Sequence, residues 1–208
     1  MANLFQIQIF QGAYFRSLAD GNRVREIVIH APRGIIYDRA LKPLVHNVPG
    51  FRVEGKDGKM KPLEKSAALS YLTQENNNKL KIDSLREYVE GGVFAHVLGY
   101  IGEISKEELA LHQNYKGGDF IGKSGVERAY EAQLRGKDGK QLFEVDSLGH
   151  PSRVLGKVDP IPGQDIVLAI DKNLSEVAFE EMKDVDKGAF IASNPKTGEI
   201  LVLISKPT

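Results

Sequence analysis

Gly122-Lys123-Ser124-Gly125-Val126-Glu127-Arg128-Ala129-Tyr130-Glu131-Ala132-Gln133-Leu134-Arg135-Gly136 is the stretch on which the reading of the fold turns. Ser124, three residues before Glu127, has the spacing of a capping box. In it the hydroxyl accepts from the Glu127 N–H and the carboxylate reaches back to the N–H of Ser124. Val126, Ala129, Tyr130, Gln133 and Leu134 recur at helical spacing, a mostly apolar stripe. Arg135 falls in the last turn, where a cation suits the helix dipole, and Gly136 supplies a stop. The spacing predicts one short amphipathic helix over 124–135, packed through that stripe.

The same stretch spells a phosphate loop. Gly117, four residues, then Gly122-Lys123-Ser124 fits the pattern of a nucleotide hydrolase, and Ile166 to Asp171 imitates its metal-binding strand. Two features count against it. The residues before the loop, Leu111 to Lys116, are too polar for the buried strand such a loop requires. Asp119 would also place an anion beside the phosphates.

Working outward, 208 residues make one ordinary domain or two small ones, and the formal net charge of +0 does not favour nucleic acid as a partner. The absence of cysteine excludes disulfides and thiolate metal sites. Five scattered histidines offer no ligand pairing, so neither a metal nor a cofactor is expected. No apolar run is long enough to span a bilayer.

Residues 3–19 read as an amphipathic helix rich in Phe and Ile, the stub of a longer one. Arg23 to Ile29 reads as a strand, Ile35 to Arg39 as a second, with strand-like pieces at 43–45 and 51–53. A polar loop over 54–62, a short helix over 62–73 and a turn at Asn76–Asn78 follow. His96 lies in an apolar, Gly-rich run and is expected to be buried or half-buried and bonded to backbone. Ser105 opens a helix to about His112. Residues 141–146 and 152–155 form a hairpin around 147–150. Asp165 to Ile170 is a strand. Asp171 caps a helix over 172–183 with Leu174, Val177, Ala178 and Met182 inward, and two strands joined by Ser193 to Gly198 complete the chain.

Several motifs stand in one order: Arg33-Gly34-Ile35-Ile36-Tyr37-Asp38-Arg39; Arg86-Glu87-Tyr88 with Ala95 to Gly102; Gly122 to Glu127 with Leu134-Arg135-Gly136; Pro162-Gly163; and Asn194 to Leu201. In this the chain resembles the N-terminal half of a class B penicillin-binding protein, most like the elongation type, penicillin-binding protein 2. The division type is the nearest alternative. The resemblance implies an α+β fold, an elongated non-catalytic pedestal of small twisted sheets and short helices, followed by the opening strand, helix and hairpin of a serine D,D-transpeptidase domain. It further implies a juxtamembrane helix stub over 1–22, a pedestal over 23–163 with a reduced head at about 54–84, and an incomplete transpeptidase domain over 164–208. By the same resemblance the protein sits on the extracytoplasmic side of the cytoplasmic membrane. Its implied partners are a RodA-type glycosyltransferase and an MreC-type scaffold. The family's usual Asn-Gly after Asp-Arg is here Ala40-Leu41, so that turn must be built differently.

Ser193-x-x-Lys196 and Lys196-Thr197-Gly198 imitate transpeptidase motifs but share one lysine, which cannot serve two roles; Pro195 and Gly198 mark a turn instead. No catalytic residue is therefore expected. The expected motif residues are structural: Arg33, Gly34, Asp38, Arg39, His96, Gly125, Glu127, Arg135 and Gly136. Among them, Arg33 or Arg39 is expected to reach Glu127 and tie the hairpin to the helix.

Overall fold

The structure, a computed structural model, describes residues 23–54, 60–63, 67–68, 80–146 and 151–207. The expected helix over 3–19, the turn at Asn76–Asn78 and the turn at 147–150 lie outside them. The fold is α+β, and the chain clusters into two compact units.

One unit holds the described residues of Met1–Ala31 and Lys137–Ile161. It is a three-stranded antiparallel sheet in the order β1 (Val24–Ile29), β8 (Gly139–Val145), β9 (Pro151–Val158). Ile27 lies opposite Gln141, and Gln141 opposite Lys157. Asp138 closes one end, its Oδ1 accepting from the Ala31 N–H at 2.8 Å.

The other unit, Pro32–Gly136 with Pro162–Thr208, contains the main core. Its five-stranded sheet is built around β3 (Pro43–Glu54), which pairs along one side with β5 (Leu80–Tyr88) and along the other with β2 (Ile36–Tyr37) and β4 (Met60–Leu63). The two strand-like pieces at 43–45 and 51–53 are thus one strand. Between β2 and β4, residues 46–50 pair, among the described residues, with β5 alone, which leaves room for Pro49 and its missing N–H. Pro62 and Leu63, expected to open a helix, instead belong to β4, and Met60–Pro62 leave the expected loop; β4 is an edge strand, where a proline is tolerated. β10 (Ile166–Val167) adds to β2 in parallel, so the strand expected from 165 to 170 pairs over two residues only.

Helix α1 (Gly91–Leu98) buries Val93, Phe94 and Leu98. β6 (Ile101–Glu103) pairs with β7 (Phe120–Gly122), and α2 (Lys106–Leu111) lies between them. The helix expected over 124–135 is two turns of helix, α3 (Gly125–Ala129) and α4 (Glu131–Leu134), broken at Tyr130. After β10 come α5 (Lys172–Glu181) and the hairpin of β11 (Gly188–Ser193) and β12 (Ile200–Lys206). Asp171 caps α5 as expected, accepting from the Leu174 N–H. Leu174 and Val177 are exposed rather than inward; Ser175 and Ala178 are the buried residues of α5.

Ile36, Leu44, Val45, Phe94, Leu134, Ile170, Val202 and Ile204 meet in one core. Residues from both sides of position 163 contribute, so the expected boundary at 163/164 runs through this unit.

Candidate functional site

The face that α3 and α4 bury is not the expected apolar stripe. Glu127, Glu131 and Leu134 lie at i, i+4 and i+7 on one face. Glu127 and Leu134 are fully buried, and Glu131 is half-buried. Ala129, Tyr130 and Gln133, expected on the inward stripe, are exposed. The predicted capping box fails for the same reason: Ser124 makes no side-chain cap bond, because the Glu127 carboxylate is turned inward to cations. The capping box that does form joins Ser105 and Glu108 at the start of α2.

A buried carboxylate is stable as an ion only where donors replace its water. Glu127 Oε2 accepts from Arg33 Nη2 at 2.7 Å, and its Oε1 from Arg86 Nε at 2.7 Å. Arg33 also grips Glu131 bidentately, Nη1 to Oε1 at 3.0 Å and Nη2 to Oε2 at 2.8 Å. Glu131 takes two further bonds, from Tyr115 Oη at 2.7 Å and from the Gly122 N–H at 2.8 Å. Arg86 Nη1 donates to Asn47 Oδ1 at 3.0 Å, and Asn47 Nδ2 returns to Arg33 O at 2.5 Å. Two guanidinium groups thus meet two carboxylates, and every carboxylate oxygen has a partner.

Burial works to raise the Glu131 carboxyl, but its bonds to Arg33, Tyr115 and Gly122 outweigh it and hold the group below the usual carboxylate range. Burial works to lower Arg33, but Glu131 and Glu127 raise it. Both groups therefore stay charged. Tyr115 is pushed up to about 12, first by burial and then by its bond to Glu131. Tyr88, whose Oη accepts from the Ile101 N–H, is pushed up to about 12 by burial and by the charge of Glu127.

Of the expected tie, then, Arg33 is the arginine that reaches Glu127, and Arg39 is exposed. Arg135 stands at the end of α4, its Nη2 donating to Asp119 at 2.9 Å while its guanidinium lies 3.5 Å over the Tyr115 ring. His96 is exposed rather than buried, with Nε2 2.9 Å from Pro207 O. Gly34 sits where a Cβ would come within 1.9 Å of Gln164 O. Gly136 ends the helical segment at φ 73. Arg86, Glu131 and Tyr115 were not singled out as site residues. Arg86 lies in a quoted motif, and Glu131 stands four residues after Glu127, which is the signal that could have found it.

This geometry also disposes of the phosphate loop. Residues 120–122 are a β-strand, the Gly122 N–H is held by Glu131, and the Lys123 ammonium is paired with Glu108. The donors a phosphate needs are engaged by carboxylates. Among the described residues no group of acidic or histidine side chains could hold a metal ion.

Comparison with known proteins sorts the remaining readings. Residues 70–168, which include β5, α3, α4 and most of the charge cluster, match the Penicillin-binding Protein dimerisation domain. Close to half of the chain is thus similar to a domain of penicillin-binding proteins. Peptidoglycan D,D-transpeptidase MrdA of Acinetobacter baumannii is 32% identical over 247 residues, an alignment covering 97% of this chain and 37% of that protein. The aligned span is longer than the 208 residues of this chain, so the relative has residues within it that this chain lacks. A solved complex between Penicillin-Binding Protein 2 and MreC from Helicobacter pylori shares the fold, with a TM-score of 0.70 at 21% identity over 88% of this chain and 43% of that one. A peptidoglycan synthase complex matches all of this chain and 43% of its own, with a TM-score of 0.63 at 25% identity. The chain thus spans well under half of the length of these relatives.

Proposed function

We propose that this chain is the non-catalytic pedestal of a peptidoglycan D,D-transpeptidase of the elongation type, which positions the catalytic domain and offers surface to the partners of wall elongation. The observation that carries this reading is the match of nearly the whole chain to 37% of a D,D-transpeptidase, with a dimerisation domain at its centre. In this reading residues 1–22 lead from a membrane anchor, 23–163 are the pedestal, and 164–208 open the transpeptidase domain on the extracytoplasmic side of the membrane. The partners we propose are an MreC-type scaffold and a RodA-type glycosyltransferase. The solved complex with MreC and the synthase that joins polymerization to crosslinking support them.

The described residues support a structural role for the chain itself. The buried charges are paired with one another, with no open nucleophile and base among them. Ser193 ends β11 and Lys196 lies in the turn after it, both exposed, whereas a transpeptidase serine opens a helix. Among the described residues, no helix is long and apolar enough to cross a membrane. Incubation with fluorescent penicillin tests the reading: this chain stays unlabelled, while a longer protein that includes it is labelled. Covalent labelling of the 208 residues overturns the non-catalytic role.

A further inference from the structure

Between β2 and β3 the chain turns at Asp38–Lys42 without the glycine such a turn favours. Asp38 closes it: Oδ1 accepts from the N–H groups of Ala40 at 2.8 Å and Lys42 at 2.7 Å. The carboxylate is buried and has a second oxygen to satisfy. That oxygen, Oδ2, accepts from the N–H of Lys172 at 3.2 Å, at the first residue of α5. The same turn holds the start of α5 twice more. The Arg39 N–H donates to Ile170 O at 3.0 Å, and Lys42 Nζ to Asn173 Oδ1 at 2.9 Å.

A helix start has N–H groups with no partner inside the helix. In α5 the cap residue Asp171 takes that of Leu174, and Asp38 takes that of Lys172 from a hairpin 134 residues earlier. Two carboxylates therefore stand at the positive end of the helix dipole. Along α5 Ser175 and Ala178 are buried and Phe179 is half-buried against the core, while Leu174 and Val177 in its first two turns face outward, so packing grips the far half of the helix more than its start. At the far end Lys206 Nζ donates to Met182 O at 2.5 Å.

We infer that the Asp38 turn is the positioning element of α5, setting the place of its first turn through the buried carboxylate and the Lys42–Asn173 bond. What the seat serves rests on the pedestal reading. In that reading the turn belongs to the pedestal and α5 is the first helix of the transpeptidase portion, so this contact carries orientation from one to the other.

Asp38→Asn keeps the shape and removes the charge. Amide hydrogen exchange in this chain is expected to rise on the order of tenfold at Ser175 and Ala178, with β3 and β5 unchanged. Lys42→Met, which removes only the bond to Asn173, gives a smaller rise confined to α5 and decides the matter if Asp38→Asn does not fold. Unchanged exchange in α5, or an equal rise through β3 and β5, overturns the seat. In a longer protein that includes this chain, Asp38→Asn slows acylation by fluorescent penicillin several-fold at the same final extent. An unchanged rate overturns the coupling. No labelling of the unsubstituted longer protein overturns the pedestal reading and leaves the seat intact.

Discussion

Arg33 and Glu127 stand 94 residues apart in the chain and meet at 2.7 Å, with Glu127 wholly excluded from solvent. Around this bond Arg86 and Glu131 complete a set in which each charge is held by an opposite one. Such a set is weak evidence of net stability, since desolvation of the ions offsets much of their attraction. Its one-sided loss is another matter.

Glu127→Ala strands the buried Arg86 guanidinium, while Arg33 keeps Glu131, and is expected to cost about 3–5 kcal/mol. Urea unfolding measures it. In the double variant with Arg86→Ala the two losses are far from additive, because the second change removes the charge the first had stranded. Additive losses would show that the two residues act separately.

Acid reads the same cluster through Glu131. Its folded pKa lies below the ordinary 4.5, so the ionised form is the one the fold favours. The contribution is present in full above about 4.5 and is lost as pH falls through the folded value. Stability followed from neutral pH into acid should therefore fall more steeply below about 4.5 in the natural chain than in Glu131→Gln. Parallel curves would count against the assignment.

Gly125 has φ 57, and a Cβ there would lie 2.5 Å from both Gly99 N and Val97 O, at the end of α1. Gly125→Ala is expected to cost more than about 2 kcal/mol, from left-handed backbone and overpacking together. Gly117→Ala is the control, with nothing within 4 Å of the added atom, and should stay within about 0.5 kcal/mol of the natural chain. Thermal unfolding of the two variants side by side checks both.

At Leu41 a side chain occupies φ 59 while 66% exposed. Asparagine tolerates that backbone better, and little apolar burial is at stake. Leu41→Asn should raise stability by about 0.5–1 kcal/mol; a loss of that size would mean that the leucine packs on something.

What the sequence showed plainly was local. Asp171 as a helix cap, Ser105 as another, the turn at Pro195–Gly198 and the strand from Val24 are each written within a few residues. The charge cluster was half legible. A buried ion pair announces itself as an unexpected charge among glycines and apolar neighbours, which drew attention to Arg33 and Glu127. It does not announce its other members, because Arg86 is 41 residues from Glu127 and Arg33 is 98 from Glu131. The same long reach misled the reading of 124–135. An apolar stripe was chosen as the buried face, while the face buried in fact carries two glutamates whose partners lie on other elements. Leu174 and Val177 failed in reverse, as apolar residues at helical spacing that the described fold leaves in solvent.

The unit that holds the charge cluster is interrupted by residues 137–161, which make the other unit with β1. The interruption has a consequence for the order of assembly on the ribosome. The β8–β9 hairpin is local and can pair as soon as it emerges. β1 must wait for β8, and the Ile35 N–H waits 130 residues for the Asp165 carboxylate. The first strand is thus among the last to find its partner. The main core, too, closes only when Val202 and Ile204 have arrived, so the chain is expected to complete its fold slowly and late in synthesis.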